Sequence, residues 1–265
     1  MIKKLICATL ALVSAGIAFG QCPLTFTGSN QAIVGVYVAP VNGDEPIVDY
    51  NSEQLMTPAS VMKSVTVASA LSRYGGDFRW QTTVKAIGPV SNGTLRGNIE
   101  VTGTGDPTLG SAQFRKEREG FLTALRNAAT KAGINRITGR TVQASPWPDQ
   151  GPVPSWEIED IPGIDGAGFY TLNWNDNVFS LTVPSLNTSP KIPGLKIHNA
   201  GGKGGLKFFR NPGSYDLTLT GSLGPKQSHA TLICSMPNPP EVLLSQIDSL
   251  LGAGGGKDAS GANST

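Results

Sequence analysis

The chain has 265 residues, with 21 Lys and Arg against 19 Asp and Glu, for a formal charge of +2. That balance supplies no basic field for nucleic acid, so no nucleic-acid partner is expected. The length is sufficient for one large domain or two modest ones with a real core. The chain opens MIKKLICATLALVSAGIAFGQ, in which Lys3 and Lys4 precede an uncharged apolar run ending in the small residues Ala18 and Gly20. This is the pattern of a secretory signal peptide over residues 1–20, cleaved near Gly20/Gln21. Gly16 and Gly20 interrupt the run and no later stretch is apolar enough to span a bilayer, so no transmembrane anchor is expected in the mature form. Gln21 places a bulky polar residue where lipoprotein processing wants a small one, which argues against a lipid anchor on Cys22. Cys7 leaves with the signal. Cys22 and Cys234 either pair in an oxidising compartment or remain two thiols, since connectivity depends on geometry.

Gln31 to Pro40, QAIVGVYVAP, is β-branched and alternating, and a turn at Asn42-Gly43 leads to a second extended segment at Pro46–Tyr50. The pattern predicts an N-terminal hairpin. Thr57 is then placed to cap a helix with Pro58 at its first position, and Ser64, Val67, Ala68 and Leu71 continue the helical spacing to a stop at Gly75-Gly76. From Asp77 short extended segments follow: FRWQTTVKAIG, then GTLRGNIEVTG, then the loop TGDPTL. A helix is expected from Ser111 to Ala132, ended by Gly133, followed by INRITGRTVQAS and a Pro- and Trp-rich stretch from Pro146 to Pro162. Further strands are expected at Val178–Val183, Leu206–Arg210, Tyr215–Gly221 and Thr231–Cys234. Glu241 to Leu251, EVLLSQIDSLL, carries Val242, Leu243, Ile247 and Leu250 on one side and reads as an amphipathic helix. The last residues, GAGGGKDASGANST, have the composition of a flexible polar tail. No internal repeat is visible.

The helix at Pro58 places Ser60 and Lys63 three residues apart, on one face, so the lysine amine can reach the serine hydroxyl. A serine becomes a useful nucleophile when a base takes its proton, and a lysine is that base if burial or a neighbouring cation lowers its pKa. The positive end of the helix dipole favours an oxyanion developing nearby, and the small Ala59 leaves room for a substrate. By itself the spacing is weak evidence, because a serine and a lysine three apart recur by chance in most chains of this size. The hairpin and the proline-started helix around the pair are what give it weight.

MTPASVMKSVTVASAL, together with DFRWQTTV, GTLRGNIEVTGTGDPTL and LNWNDNVFSLTVP, resembles the class C penicillin-binding proteins, the D-alanyl-D-alanine carboxypeptidase/endopeptidase family. The resemblance runs in order from about Gln31 to Leu251. It implies an α/β (α+β) fold: the N-terminal part of a β-lactamase/transpeptidase-like domain carrying a large, mostly β inserted region. On that pattern residues 21–84 begin the transpeptidase-like domain, 85–234 form the insertion, 235–252 supply a helix returning to the first domain, and 253–265 are tail. The resemblance also implies a serine acyl-enzyme on peptidoglycan stem peptides in the periplasm or cell envelope, with Ser60 attacking and Lys63 as general base. β-Lactams would then be covalent inhibitors. Asp160, in PSWEIEDIPG, falls where family members carry an acidic residue that meets the amino group of a diamino acid, although most exposed carboxylates of this kind carry no function.

That family also uses a Ser-x-Asn loop and a Lys-Thr-Gly strand, both after the insertion. Ser185-Leu186-Asn187 and Lys203-Gly204-Gly205 imitate them but fall inside the inserted region, separated by a short loop, and are expected to be surface turns. Without a Lys-Thr-Gly strand one oxyanion donor is missing, at a cost of about 10²–10³ in rate. The chain is therefore expected to be weak or inactive alone, with a hydrophobic sheet edge exposed beside the hairpin. Asp106 in TGDPTL is expected to organise a turn. His198 and His229 sit in Gly- or Ser-rich loops without a nucleophile motif, and no His/Cys/Asp cluster has ligand spacing, so neither a triad nor a metal or other cofactor is expected. Trp147, Trp156 and Trp174 are expected to be buried aromatics of the β region, with glycan stacking as the other reading. The alternative function is a non-catalytic periplasmic peptidoglycan-binding or scaffolding module.

Overall fold

The computed structural model describes residues 32–253 other than Asp44. The expected signal peptide, Cys7, Cys22 and the expected polar tail from residue 254 onward lie outside the described residues, as does the other half of any Cys22–Cys234 pairing. No described helix is long and apolar enough to cross a membrane. The chain divides into two units, residues 1–77 and 78–265, so the first boundary falls slightly before the expected 84/85.

The first unit contains the predicted hairpin. β1 (Val36–Val38) and β2 (Val48–Tyr50) pair antiparallel with Val36 opposite Tyr50 and Val38 opposite Val48. The Ile47 amide extends the ladder by donating to the Val38 carbonyl at 2.7 Å, and Gly43 closes the turn onto the Pro40 carbonyl. The helix that follows begins as a short 3₁₀ turn at Ala59–Val61 and continues as α1 (Met62–Tyr74). Gly75, at φ 76°, ends it by donating to the Leu71 carbonyl, as the Gly-Gly stop predicts. None of the described residues from 32 to 77 is buried. Tyr37 on the hairpin is 59% exposed and Val65 and Leu71 on the helix are 56% and 55% exposed.

The second unit starts with two three-stranded sheets in sequence. β3 (Thr83–Ile87) pairs antiparallel with β6 (Asn98–Thr102), which pairs parallel with β8 (Thr141–Gln143). β4 (Val90–Ser91), β5 (Thr94–Leu95) and β7 (Arg136–Ile137) repeat that arrangement one step further along the same three chain segments. All three segments break at one level. Gly97 and Gly139 are required there, because a Cβ on Gly97 would overlap the Ile87 carbonyl oxygen and one on Gly139 would overlap Asn98 Oδ1. α2 (Arg115–Lys131) is the crossover between β6 and β7 and closes at Gly133, one turn later in its start than the sequence suggests.

Two further sheets complete the unit. β9 (Val178–Val183) is flanked antiparallel by β10 (Asn187–Ser189) and β14 (Ala230–Ser235). β13 (Asp216–Thr220) is flanked by β11 (Lys196–Gly201), parallel, and β12 (Lys207–Phe209), antiparallel. The β9 sequence VFSLTV buries every second residue, Phe179, Leu181 and Val183, as its alternation predicts.

The last helix, α3 (Pro239–Leu250), starts two residues before the apolar pattern because Asn238 caps it: its side-chain oxygen accepts from the Glu241 amide at 3.2 Å, ahead of Pro239. The family pattern assigns this segment to the first domain. Here it packs within the second unit instead, burying Val242, Leu243, Ile247 and Leu251 in one core with Leu95, Ile99, Val101, Ile137 and Leu172. Asp248 fixes its register, since one carboxylate oxygen accepts from both the amide and the hydroxyl of Thr141 on β8 at 2.6 Å.

Cys234, next to last in β14, is fully buried. Burial pushes its thiol up from 9.0 to about 12, with the Arg210 guanidinium pulling the other way. The thiol stays protonated in the fold while the unfolded chain begins to ionise near 9.0, so this group's contribution to stability is intact below that pH and is lost as pH rises toward about 12. Iodoacetamide at mildly alkaline pH is expected to leave Cys234 unmodified in the native protein and to alkylate it in urea, read by peptide mass spectrometry. Rapid native alkylation would contradict the burial.

Candidate active site

Ser60 lies in the 3₁₀ turn and Lys63 in the first turn of α1, and the helix path brings them together. Lys63 Nζ donates to Ser60 Oγ at 2.8 Å, with both side chains exposed. The expected Thr57 cap is absent: Pro58 and Val61 occupy the two cap positions and neither turn has a side-chain cap. The reason is local. Ala59 sits at φ 43°, in the left-handed region, so the chain is not yet helical where a Thr57 cap would require it to be. A non-glycine residue held there costs on the order of 1–2 kcal/mol, and it directly precedes the candidate nucleophile.

Chemically, the pair can pass a proton across one hydrogen bond. When the amine is neutral, Ser60 Oγ–H donates to Nζ along the same 2.8 Å contact and the oxygen gains nucleophilicity. The N-terminus of a 13-residue helix adds a dipole that favours negative charge developing at that end.

Asp160 lies in the second unit, exposed, in a turn where its amide donates to Glu157 O at 3.1 Å and its carbonyl accepts from Gly163 at 2.9 Å. Among the described residues it forms no ion pair. Sequence reasoning missed what holds this turn. Ser235 on β14 donates its hydroxyl to Ile161 O at 2.5 Å and its amide to Pro162 O at 2.9 Å. Arg210, only 4% exposed, donates to both Ser235 Oγ at 2.6 Å and Ser235 O at 3.1 Å, and to Ser214 O at 3.1 Å. Burial lowers the Arg210 pKa, partly offset by Tyr170. A single arginine in FFRNPGSY gives no sequence signal for this, because its partners are separated from it along the chain.

The imitation motifs are turns. Ser185 and Asn187 are exposed in the β9–β10 hairpin, where Ser185 Oγ reaches only Thr182 O at 3.4 Å, and Lys203-Gly204-Gly205 lies exposed between β11 and β12. Asp106 accepts from the amide and hydroxyl of Thr108 at 2.8 and 2.7 Å, the turn-organising role expected of it. His198 pairs with Asp216 at 3.0 Å, both exposed, and this hydrogen bond lowers the Asp216 pKa; Ser214 Oγ only accepts from the Asp216 amide at 3.0 Å. His229 contacts Ser228 at 3.2 Å in an exposed loop. Only Trp174 is buried. Trp147 and Trp156 are 39% and 38% exposed, against the expectation, because their Pro-rich segment forms no strand that would carry them into the core. Among the described residues no three His, Cys, Asp or Glu side chains converge on a metal site.

The chain is 34% identical over 115 residues to the D-alanyl-D-alanine carboxypeptidase DacB of Haemophilus influenzae, covering 43% of this chain and 22% of that protein. It is 24% identical over 230 residues to the D-alanyl-D-alanine carboxypeptidase of an Actinomadura species, covering 78% of this chain and 41% of the relative. The fold is similar to the crystal structure of penicillin binding protein 4 (dacB) from Haemophilus influenzae, with a TM-score of 0.65 at 21% identity over 83% of this chain and 51% of the other. The chain thus spans about half the length of that structure and less of the two sequence relatives. The family model for D-Ala-D-Ala carboxypeptidase 3 (S13) matches residues 26–261, which takes in both units and the Ser60–Lys63 pair, and the chain belongs to that family.

Proposed function

We propose that the chain carries the nucleophile and base of a serine-type D-Ala-D-Ala carboxypeptidase/endopeptidase acting on peptidoglycan stem peptides in the periplasm or cell envelope. The observation that carries the reading is the 2.8 Å contact between Ser60 Oγ and Lys63 Nζ at a helix start, in a member of a carboxypeptidase family. Ser60 Oγ attacks the carbonyl of the D-Ala-D-Ala bond, and Lys63 takes its proton and returns it to the departing amine. The resulting ester on Ser60 is then released by water. Asp160 is assigned the amino group of the substrate's diamino acid, a role its exposed carboxylate supports by charge.

β-Lactams follow the same first step. The lactam C–N bond breaks, its nitrogen takes the proton, and the acyl group stays on Ser60. A solved relative, penicillin binding protein 4 (dacB) of Haemophilus influenzae, is described in complex with a β-lactam. Long incubation with benzylpenicillin is expected to add one penicillin mass to the intact protein, reversed by hydroxylamine and mapped to the peptide holding Ser60. An unchanged intact mass, or an adduct elsewhere, would reject the reading and leave the non-catalytic binding module.

A further inference from the structure

The second unit contains a groove that the catalytic reading does not use. Two adjoining hollows, of about 820 and 440 Å³, lie between α2, α3 and the 189–194 turn, and share Leu122 and Gln246 in their walls. Arg126, one helical turn beyond Leu122, and Lys191 on the turn both border the larger hollow. Among the described residues no carboxylate is paired with Arg126 or Lys191. Among the described residues no carboxylate lines either hollow.

Isolated surface cations are ordinary. Two cations with no counter-ion among the described residues, on the wall of one concavity, are more informative, because low-dielectric walls focus their field on whatever enters. The other polar groups divide the work. Ser245 and Ser249 spend their hydroxyl protons on the Val242 and Ser245 carbonyls, both at 2.9 Å, and present acceptors only. The charged donors that can meet an anion are Arg126, whose planar fork takes a carboxylate in two hydrogen bonds, and Lys191, a mobile point charge, with the Gln246 amide as a neutral donor in the shared wall. Leu250 and Pro193 offer apolar surface to the aliphatic part of the same ligand. Trp174 reaches the smaller hollow but is 3% exposed, which leaves no ring face for a sugar and favours a peptide.

We propose that this groove binds an acidic peptide through two carboxylates, one on Arg126 and one on Lys191, as an accessory site on the second unit. Identifying that peptide with the acid-bearing part of the stem peptide rests on the proposed function; the dicarboxylate chemistry does not.

The test is calorimetric titration of the whole chain with N-acetyl-alanyl-glutamate, a dianion lacking D-Ala-D-Ala, and with its diamide. The dianion is expected to bind at least about tenfold more tightly than the diamide, and to lose at least about tenfold in affinity for Arg126→Gln/Lys191→Gln and at raised salt. Ser60→Ala is expected to bind it like wild type. Equal binding of the diamide, an unchanged affinity in the double variant, or no detectable binding of the dianion would each overturn the groove. Both substitutions are at exposed positions, and circular dichroism checks the fold. Penicillin labelling separates the two readings: a failed groove with labelling intact leaves the acyl-enzyme standing, and groove binding by a chain that never labels leaves the groove standing alone.

Discussion

Lys63→Ala is expected to slow acylation of Ser60 by a fluorescent penicillin by about 10²–10⁴-fold, the usual range for removing a positioned general base. Lys63 Nζ is the group hydrogen-bonded to the Ser60 hydroxyl, at 2.8 Å, so its removal leaves the proton to solvent. Lys63→Arg is the sharper control. A guanidinium keeps the positive charge and the donor but accepts no proton at usable pH, so it is expected to be nearly as slow as alanine. If the lysine served only as a positive charge beside the serine, arginine would retain most of the rate. Lys63 is exposed, so both variants are expected to melt like wild type.

Leu243→Ala is expected to destabilise the second unit by about 2–5 kcal/mol, the range for truncating a large aliphatic residue in a packed core. Leu243 is fully buried on α3, amid residues from β5, β6, β7 and the 172–174 segment, and the surroundings cannot collapse into the space without moving a helix and a sheet together. Urea denaturation followed by tryptophan fluorescence measures it, since Trp174 belongs to the same core. An effect under about 1 kcal/mol would mean that α3 is not seated as described, and would reopen its assignment to the first unit.

The elements that could be read from the sequence are those whose signal is local. VFSLTV alternates with a period of two and buries alternate residues, and EVLLSQIDSLL shows its apolar face, although the Asn238 cap that starts the helix at Pro239 went unread. The Ser60–Lys63 contact was available for the same reason, as three positions along a helix fix which side chains meet. Helix α3 shows the limit. Its existence follows from its own residues, but its place beside Thr141 depends on Asp248, whose partner is 107 positions away. β10 and β11, built from NTS and KIHNAG, are polar, and β11 is defined by a parallel pairing with β13 across some twenty positions, so nothing in the segment itself marks it as a strand. Thr57 failed as a cap because a backbone conformation, Ala59 at φ 43°, overrode a favourable residue type. Arg210 and Ser235, which hold the Asp160 turn, are a tertiary feature with no counterpart in sequence spacing.

The role of Ser60 as an acyl-transfer nucleophile is tested most directly by covalent capture. Wild-type chain and Ser60→Ala, matched for folding by circular dichroism, are incubated with an excess of fluorescent penicillin, denatured, and compared on a gel, with the labelled peptide sequenced by mass spectrometry. The wild type is expected to carry a label on Ser60, and Ser60→Ala none. Equal labelling of the two proteins, or none in the wild type at any incubation time, would contradict it.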